Sequence, residues 1–293
     1  MSYEQYIGAI DEDSVLVECG PMRLVIRAWN KKQPQIKLAR RAAEESISFL
    51  ERIARCRMIV SRPIPEITEL PEDELALRMI ASVRTIGDDD LTPMAAVAGT
   101  IADAVANWLY EQGLTKVIVD NGGDIAVRLA DGETVTVGVR PQVTSRHISH
   151  VIYLDSGCST WGVTTSGVGG RSLTRGIASA VTVLATNASV ADAAATAIAN
   201  ACFVKDDRII QLPAEKIDPA SDLKDIPVTT EVGPLSSDKI SIALDAAQRK
   251  AEYLSQKGVI IGAFITLDSV NVISEGMRPY VSPVKLGYSG YVM

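Results

Sequence analysis

Three short segments of the chain hold residue types that can do chemistry. The first is Asp120-Asn121-Gly122-Gly123-Asp124. Paired glycines at the end of a strand allow positive φ and close approach of a ligand to the backbone. Their N–H groups can face an anion, and the carboxylates can face a cation or ribose hydroxyls. The same residues also suit a type I′ hairpin turn, which Asn-Gly forms readily. The second is Thr164-Thr165-Ser166-Gly167-Val168-Gly169-Gly170-Arg171. Hydroxyls, glycines and an arginine in so short a run suit a phosphate cradle, in which backbone and hydroxyls donate and arginine neutralises. It is not a Walker loop, because no Lys-Ser/Thr follows the glycines. It is not a nucleophile elbow, because Thr164 stands where that motif needs glycine. A flexible glycine loop has the same composition.

The third segment is Asp192-Ala193-Ala194-Ala195-Thr196. On a helix, positions i and i+4 share a face, so Asp192 and Thr196 point the same way. A carboxylate and a hydroxyl there suit a hard cation such as Mg²⁺, with water and phosphate completing the shell. The alternative is an exposed first-turn aspartate and a threonine bonded back to its own helix. Asp192 is the only charged residue between Arg175 and Lys205. A carboxylate in so apolar a stretch needs a partner. Asp88-Asp89-Asp90 before Thr92-Pro93 reads first as a solvated cap for the next helix. His147 and His150, three apart on a strand, face opposite ways and make poor co-ligands.

These segments must be positioned by regular elements. Ser14–Cys19 and Met22–Trp29 flank Gly20-Pro21 and read as a hairpin. Helical spacing of Ile36, Ala39, Ala43, Ile47, Leu50 and Ile53 predicts a long helix from Gln35 to Arg57. A second helix is expected over Glu72–Ile86 and a third over Pro93–Gln112. The third is unusually rich in small residues (Ala95, Ala96, Ala98, Gly99, Ala102, Ala104, Ala106), which suits tight helix-on-sheet packing or the lining of a ligand cleft. Strands are expected at 116–119, 125–129, 134–139, 147–154, 161–165 and 180–186, with Asp131-Gly132 as a hairpin turn. Ala188–Ala201 is helical by composition, 205–235 reads as an aperiodic surface excursion, and a helix over 238–256 precedes a closing hairpin. Helices bracketing hairpin-connected strands predict an α+β fold with a largely antiparallel sheet, read as one domain over 1–293.

Composition excludes several classes. The 293-residue chain carries a formal charge of −7 and 5% aromatic residues, which argues against nucleic-acid binding. Two histidines nearly exclude a multi-histidine metal centre. The four cysteines Cys19, Cys56, Cys158 and Cys202 have no C-x-x-C spacing, so the expectation is a reduced, cytoplasmic protein. The acidic N-terminus lacks the apolar core of a signal peptide, and no uncharged stretch has the roughly 20 apolar residues of a membrane span.

In order, the three motifs resemble those of the ApbE superfamily, whose characterised members are FAD:protein FMN transferases. Those carry N-x-G-G-D-I, then T-S-G, then a V-T-V strand leading to A-D-A-x-A-T on a helix. This chain has Asn121-Gly122-Gly123-Asp124-Ile125 preceded by Asp120, then Thr165-Ser166-Gly167, Val181-Thr182-Val183, and Ala191-Asp192-Ala193-Ala194-Ala195-Thr196. The likeness is nearer to a branch that shares Thr92-Pro93-Met94-Ala95-Ala96-Val97-Ala98-Gly99 and lacks the transferases' histidine segment. Where the transferases have H-x-I-D-P-x-T-G, this chain reads Gly169-Gly170-Arg171-Ser172-Leu173-Thr174-Arg175-Gly176. The resemblance implies a T-fold-like architecture and a flavin nucleotide bound at residues 120–124, Thr165, Ser166, Gly167, Gly169, Gly170 and Arg171. It also implies Mg²⁺ at Asp192 and Thr196. Two functions follow: Mg²⁺-dependent transfer or cleavage at the pyrophosphate of a flavin-like nucleotide, or non-catalytic binding of a flavin, pterin or purine-like heterocycle. The alanine-rich helices add a homo-oligomer to the expectations.

Overall fold

The computed structural model describes residues 3–170, 172–219, 221–223 and 225–284. In chain order the strands and helices are β1 (Gln5–Ala9), β2 (Ser14–Cys19), β3 (Met22–Asn30), β4 (Gln33–Pro34), α1 (Ile36–Arg55), α2 (Arg57–Val60), α3 (Glu74–Ile86), α4 (Val97–Tyr110), β5 (Lys116–Asn121), β6 (Ile125–Leu129) and β7 (Thr134–Val139). There follow β8 (His150–Asp155), β9 (Thr160–Ser166), β10 (Ala180–Ala185), α5 (Ala188–Ala201), β11 (Ile209–Pro213), α6 (Ala214–Ile217), β12 (Pro227–Val232), α7 (Ser237–Gln256), β13 (Gly262–Leu267), β14 (Val270–Ile273) and β15 (Val281–Pro283). The result is the expected α+β fold with a large antiparallel sheet and flanking helices.

The chain divides into two compact units. The first comprises Met1–Val135, Asp155–Thr164 and Ala185–Asp192. Its strands run in the order β1-β2-β3-β5-β6-β9, each pair antiparallel where it meets. β2 and β3 form the expected hairpin, with Cys19 opposite Met22. Gly20 takes φ +54 and the Pro21 ring fixes a negative φ, the signs of a type II′ turn. α1 lays Ala39, Ala42, Ala43, Leu50 and Ile53 toward the interior, as its spacing predicts. α3 starts where the Asp73 carboxylate accepts from Leu75 N–H at 2.8 Å, and stops where Gly87 adopts φ +76. α4 is buried on most of its circumference, from Gly99 through Leu109, as an apolar helix at the centre of a layer must be.

The second unit comprises Thr136–Leu154, Thr165–Leu184 and Ala193–Met293. Here β10 pairs β13 and β13 pairs β14, with β13 buried along its whole length. A separate sheet runs β15-β8-β7. The 205–235 stretch holds an antiparallel pair, β11 with β12, and the short α6. α7 ends at Lys257-Gly258 as expected, with Gly258 at φ +70.

Two local expectations fail for identifiable reasons. β1 was not foreseen, because it is an edge strand whose exposed residues carry no alternation. Asp131-Gly132 does form a turn, with Gly132 at φ +80, but not a hairpin: β6 pairs β5 and β9, whereas β7 pairs β8. Turn residues set the bend, not the partner. All four cysteines are free. No helix among the described residues is long and apolar enough to cross a membrane.

Two outcomes are expected. A Cβ on Gly162 of β9 would lie 2.3 Å from the Asn187 carbonyl carbon and 2.4 Å from Ala188 N. Backbone cannot yield as a side chain can, so Gly162→Ala should cost about 3 kcal/mol, the upper part of the overpacking range, read as a lowered urea midpoint. His150 packs its ring 4.7 Å from that of Phe264, and burial lowers its pKa from 6.5. The unfolded chain therefore takes up this proton at a higher pH than the folded one. Stability from neutral His150 is full above about pH 6.5 and is lost as pH falls through the folded value. His150→Gln should flatten the decline in urea midpoint between pH 7 and 5; an unchanged slope would contradict this.

Candidate functional site

In the first unit, the Asp120–Asp124 segment closes the β5–β6 hairpin. Gly122 and Gly123 take φ of +69 and +109, conformations a side chain resists. Gly123 N–H donates to Asp120 Oδ1 at 2.7 Å, so this carboxylate holds the loop itself. Buried Asn121 donates through Nδ2 to the Ala98 carbonyl at 3.2 Å, which ties the hairpin to the first turn of α4. Both readings of this segment survive locally: it is a hairpin turn, and its glycine backbone stands clear, with no atom within 4 Å of a Cβ built on Gly123.

The start of α4 explains Asp192. The residue before α4 is Ala96, which has no side-chain oxygen to cap it. The Asp192 carboxylate does so from α5, accepting from Gly99 N–H at 2.9 Å and also from Ala98 N–H. Asp192 is thus neither exposed nor partnerless. Burial pushes its pKa up to about 7; the two N–H donors oppose that shift and the Asp103 charge adds to it. The two helices meet closely because residue 99 is glycine: a Cβ there would lie 2.2 Å from the Ala188 carbonyl oxygen. The small-residue face of α4 serves tight packing at this point.

The capping is reciprocal. Asp103, four residues further along α4, accepts through Oδ2 from Ser189 N–H at 2.9 Å, in the first turn of α5. Its other oxygen takes the Arg128 guanidinium at 2.7 Å, with both side chains almost wholly buried. Arg128 also donates to Asn107 Oδ1 at 2.8 Å and to the Val127 carbonyl at 2.9 Å. Asn187 Oδ1 accepts from Val190 N–H, and the Ser189 hydroxyl meets those of Ser82 and Thr100 at 2.7 and 2.6 Å. Sequence reasoning missed Asp103, Asn107, Arg128 and Ser189. The available signal was Asp103 alone among alanines on α4, read only as part of a small-residue run.

In the second unit, Thr165 and Thr182 share a hydroxyl hydrogen bond of 2.9 Å. Val168 N–H donates to the Ala178 carbonyl at 2.9 Å, and a Cβ on Gly167 would meet the Ser179 carbonyl oxygen at the same distance. Residues 165–168 are therefore held against 178–182 rather than loose. Ser166 is buried, yet its hydroxyl has no partner among the described residues. The same is true of Thr196, which does not bond back to its helix. Gly169 has φ +82, and Arg171 lies outside the described residues. The 174–176 stretch is fastened by Asn200, whose Oδ1 accepts from Thr174 Oγ1 at 3.1 Å and Arg175 N–H at 2.9 Å.

The chain matches the family described as AbpE bacteria over residues 8–277. A UPF0280 protein of Methanosarcina barkeri is 37% identical over 166 residues, 54% of this chain and 63% of that one. The chain thus spans less than two thirds of that relative. A UPF0280 protein of Methanopyrus kandleri is 37% identical over 179 residues, 60% of this chain and 69% of its own. Among solved structures, the apo flavinyl transferase ApbE of Pseudomonas stutzeri superposes with a TM-score of 0.52, covering 96% of this chain and 99% of that one at 11% identity. That likeness is one of fold.

Removing one member of a buried ion pair leaves a buried charge, at a cost of about 3–5 kcal/mol. Asp103→Ala should lower stability by that order. The double variant Asp103→Leu/Arg128→Met should recover part of the loss, which a double-mutant cycle in urea measures. Additive losses would contradict the coupling.

Proposed function

Because the chain belongs to the AbpE bacteria family, we propose that it binds a flavin nucleotide and acts at its pyrophosphate with the help of Mg²⁺. The observation that carries this reading is the pair of buried hydroxyls at motif positions, Ser166 Oγ and Thr196 Oγ1, which have no partner among the described residues. A hydroxyl buried without a partner costs about 1–3 kcal/mol. Such groups persist where a ligand satisfies them. Ser166 would donate to a phosphate or ribose oxygen, with the backbone of residues 165–170 contributing further contacts to the nucleotide.

The donors fit the cation. Thr196 stands one helical turn after Asp192 on α5, and both offer oxygen, the ligand hard cations take. Among the described residues no three of His, Cys, Asp and Glu stand together. Mg²⁺ does not need such a cage, since it keeps several waters and uses one or two carboxylates. Asp192, with its pKa near 7, ionises readily when a cation arrives. When bound, Mg²⁺ neutralises charge on the pyrophosphate oxygens.

A second reading has its own observation. Between Gly169 and Gly176 the chain has no His, Asp or Glu to take a proton from an acceptor hydroxyl. Binding without turnover is the function this favours. One experiment separates the two: incubation with FAD and Mg²⁺, following FMN and AMP, beside calorimetric titration of FAD. Product supports the enzyme, saturable binding without product supports the carrier, and neither outcome refutes both. Thr196→Val removes a hydroxyl with no partner among the described residues, so stability should hold while Mg²⁺-dependent FAD binding falls about tenfold.

A further inference from the structure

We propose that the first unit carries a further binding site, for a small oxyanion of the phosphate-ester or carboxylate kind, in the cleft between α3, α4, β6 and the start of α5. The cleft has a volume of about 410 Å³, and Arg78, Thr85, Asn107, Arg128, Thr160 and Asn187 line it. It is separate from the Asp120–Asp124 hairpin. Arg128 stands three residues along β6 from Ile125, about 10 Å away at the usual strand rise.

Three features give it a preference for anions. Arg128 has five N–H donors and spends three, on Asn107, Val127 and Asp103. The remaining two have no acceptor among the described residues, although the side chain is only 3% exposed. A buried guanidinium with donors to spare on the wall of a cleft demands an oxygen acceptor. Arg78 is exposed at the same cleft and makes no ion pair or hydrogen bond among the described residues. Asp103 is the one carboxylate on the lining, and its charge is already matched by Arg128. Thr160 lies directly across the β6–β9 pairing from Arg128 and adds a hydroxyl. A planar or tetrahedral oxyanion can use all of these donors; a cation or an apolar ring cannot.

The site does not depend on the flavin reading. The test is calorimetric titration of the full chain at low ionic strength with inorganic phosphate and, separately, with succinate, which shows which oxyanion is preferred. Arg78→Gln should weaken binding of the preferred anion about tenfold, as loss of a hydrogen bond to a charged group does, and Arg78→Lys should restore part of it. Arg78 makes no bond that folding needs. Thr160→Val serves as a second variant and should also weaken binding. No saturable binding of either anion would overturn the proposal. So would wild-type affinity in Arg78→Gln.

Discussion

The first unit depends on two carboxylates exchanged between two helix starts. α4 begins after an alanine, so its first N–H groups have no local cap, and Asp192 of α5 supplies one. α5 in turn receives Asp103 from α4. Each helix leaves orphan donors at its N-terminus, and each places a negative charge where the other's dipole is positive. Such an exchange works only at short range. That is why position 99 must be glycine, and why Gly162 of β9 lies against the backbone of residues 187–188.

The same arrangement explains why so polar a cluster is tolerated inside. Asp103 is buried, but it meets the Ser189 N–H and Arg128 together. Arg128 is buried, but Asn107 and the Val127 carbonyl share its donors. A half-satisfied network would cost more than an apolar core. Arg128 lines a cleft on this side of the network. Asp192 has a double character on the same grounds. Its cap to α4 fixes its position, while burial keeps its proton affinity high.

Much of the architecture was legible in the sequence because its signals are local. The periodicity of α1, the Gly20-Pro21 hairpin and the Gly258 stop each depend on a few neighbouring residues. The edge strand β1 and the partner of β7 were not legible, since pairing is decided by strands far apart in sequence. Of the site segments, residues 120–124 showed their turn directly. Asp192 showed that it needed a partner, by standing alone among uncharged residues, but not which partner. Asp103 and Arg128, 25 positions apart, carried no joint signature at all.

The sequence by itself determined the longer helices, most strands, the antiparallel fold class, and the ordered motifs that resemble those of its family. It could do so because helical period, strand alternation and turn chemistry act over a handful of residues. Only the tertiary structure decided that Asp192 caps α4, and that among the described residues the buried hydroxyls of Ser166 and Thr196 are unmatched and Arg128 keeps donors to spare beside a cleft. Those facts concern what surrounds a side chain in space, and burial and hydrogen-bond satisfaction are set by elements that meet only when the whole chain has packed.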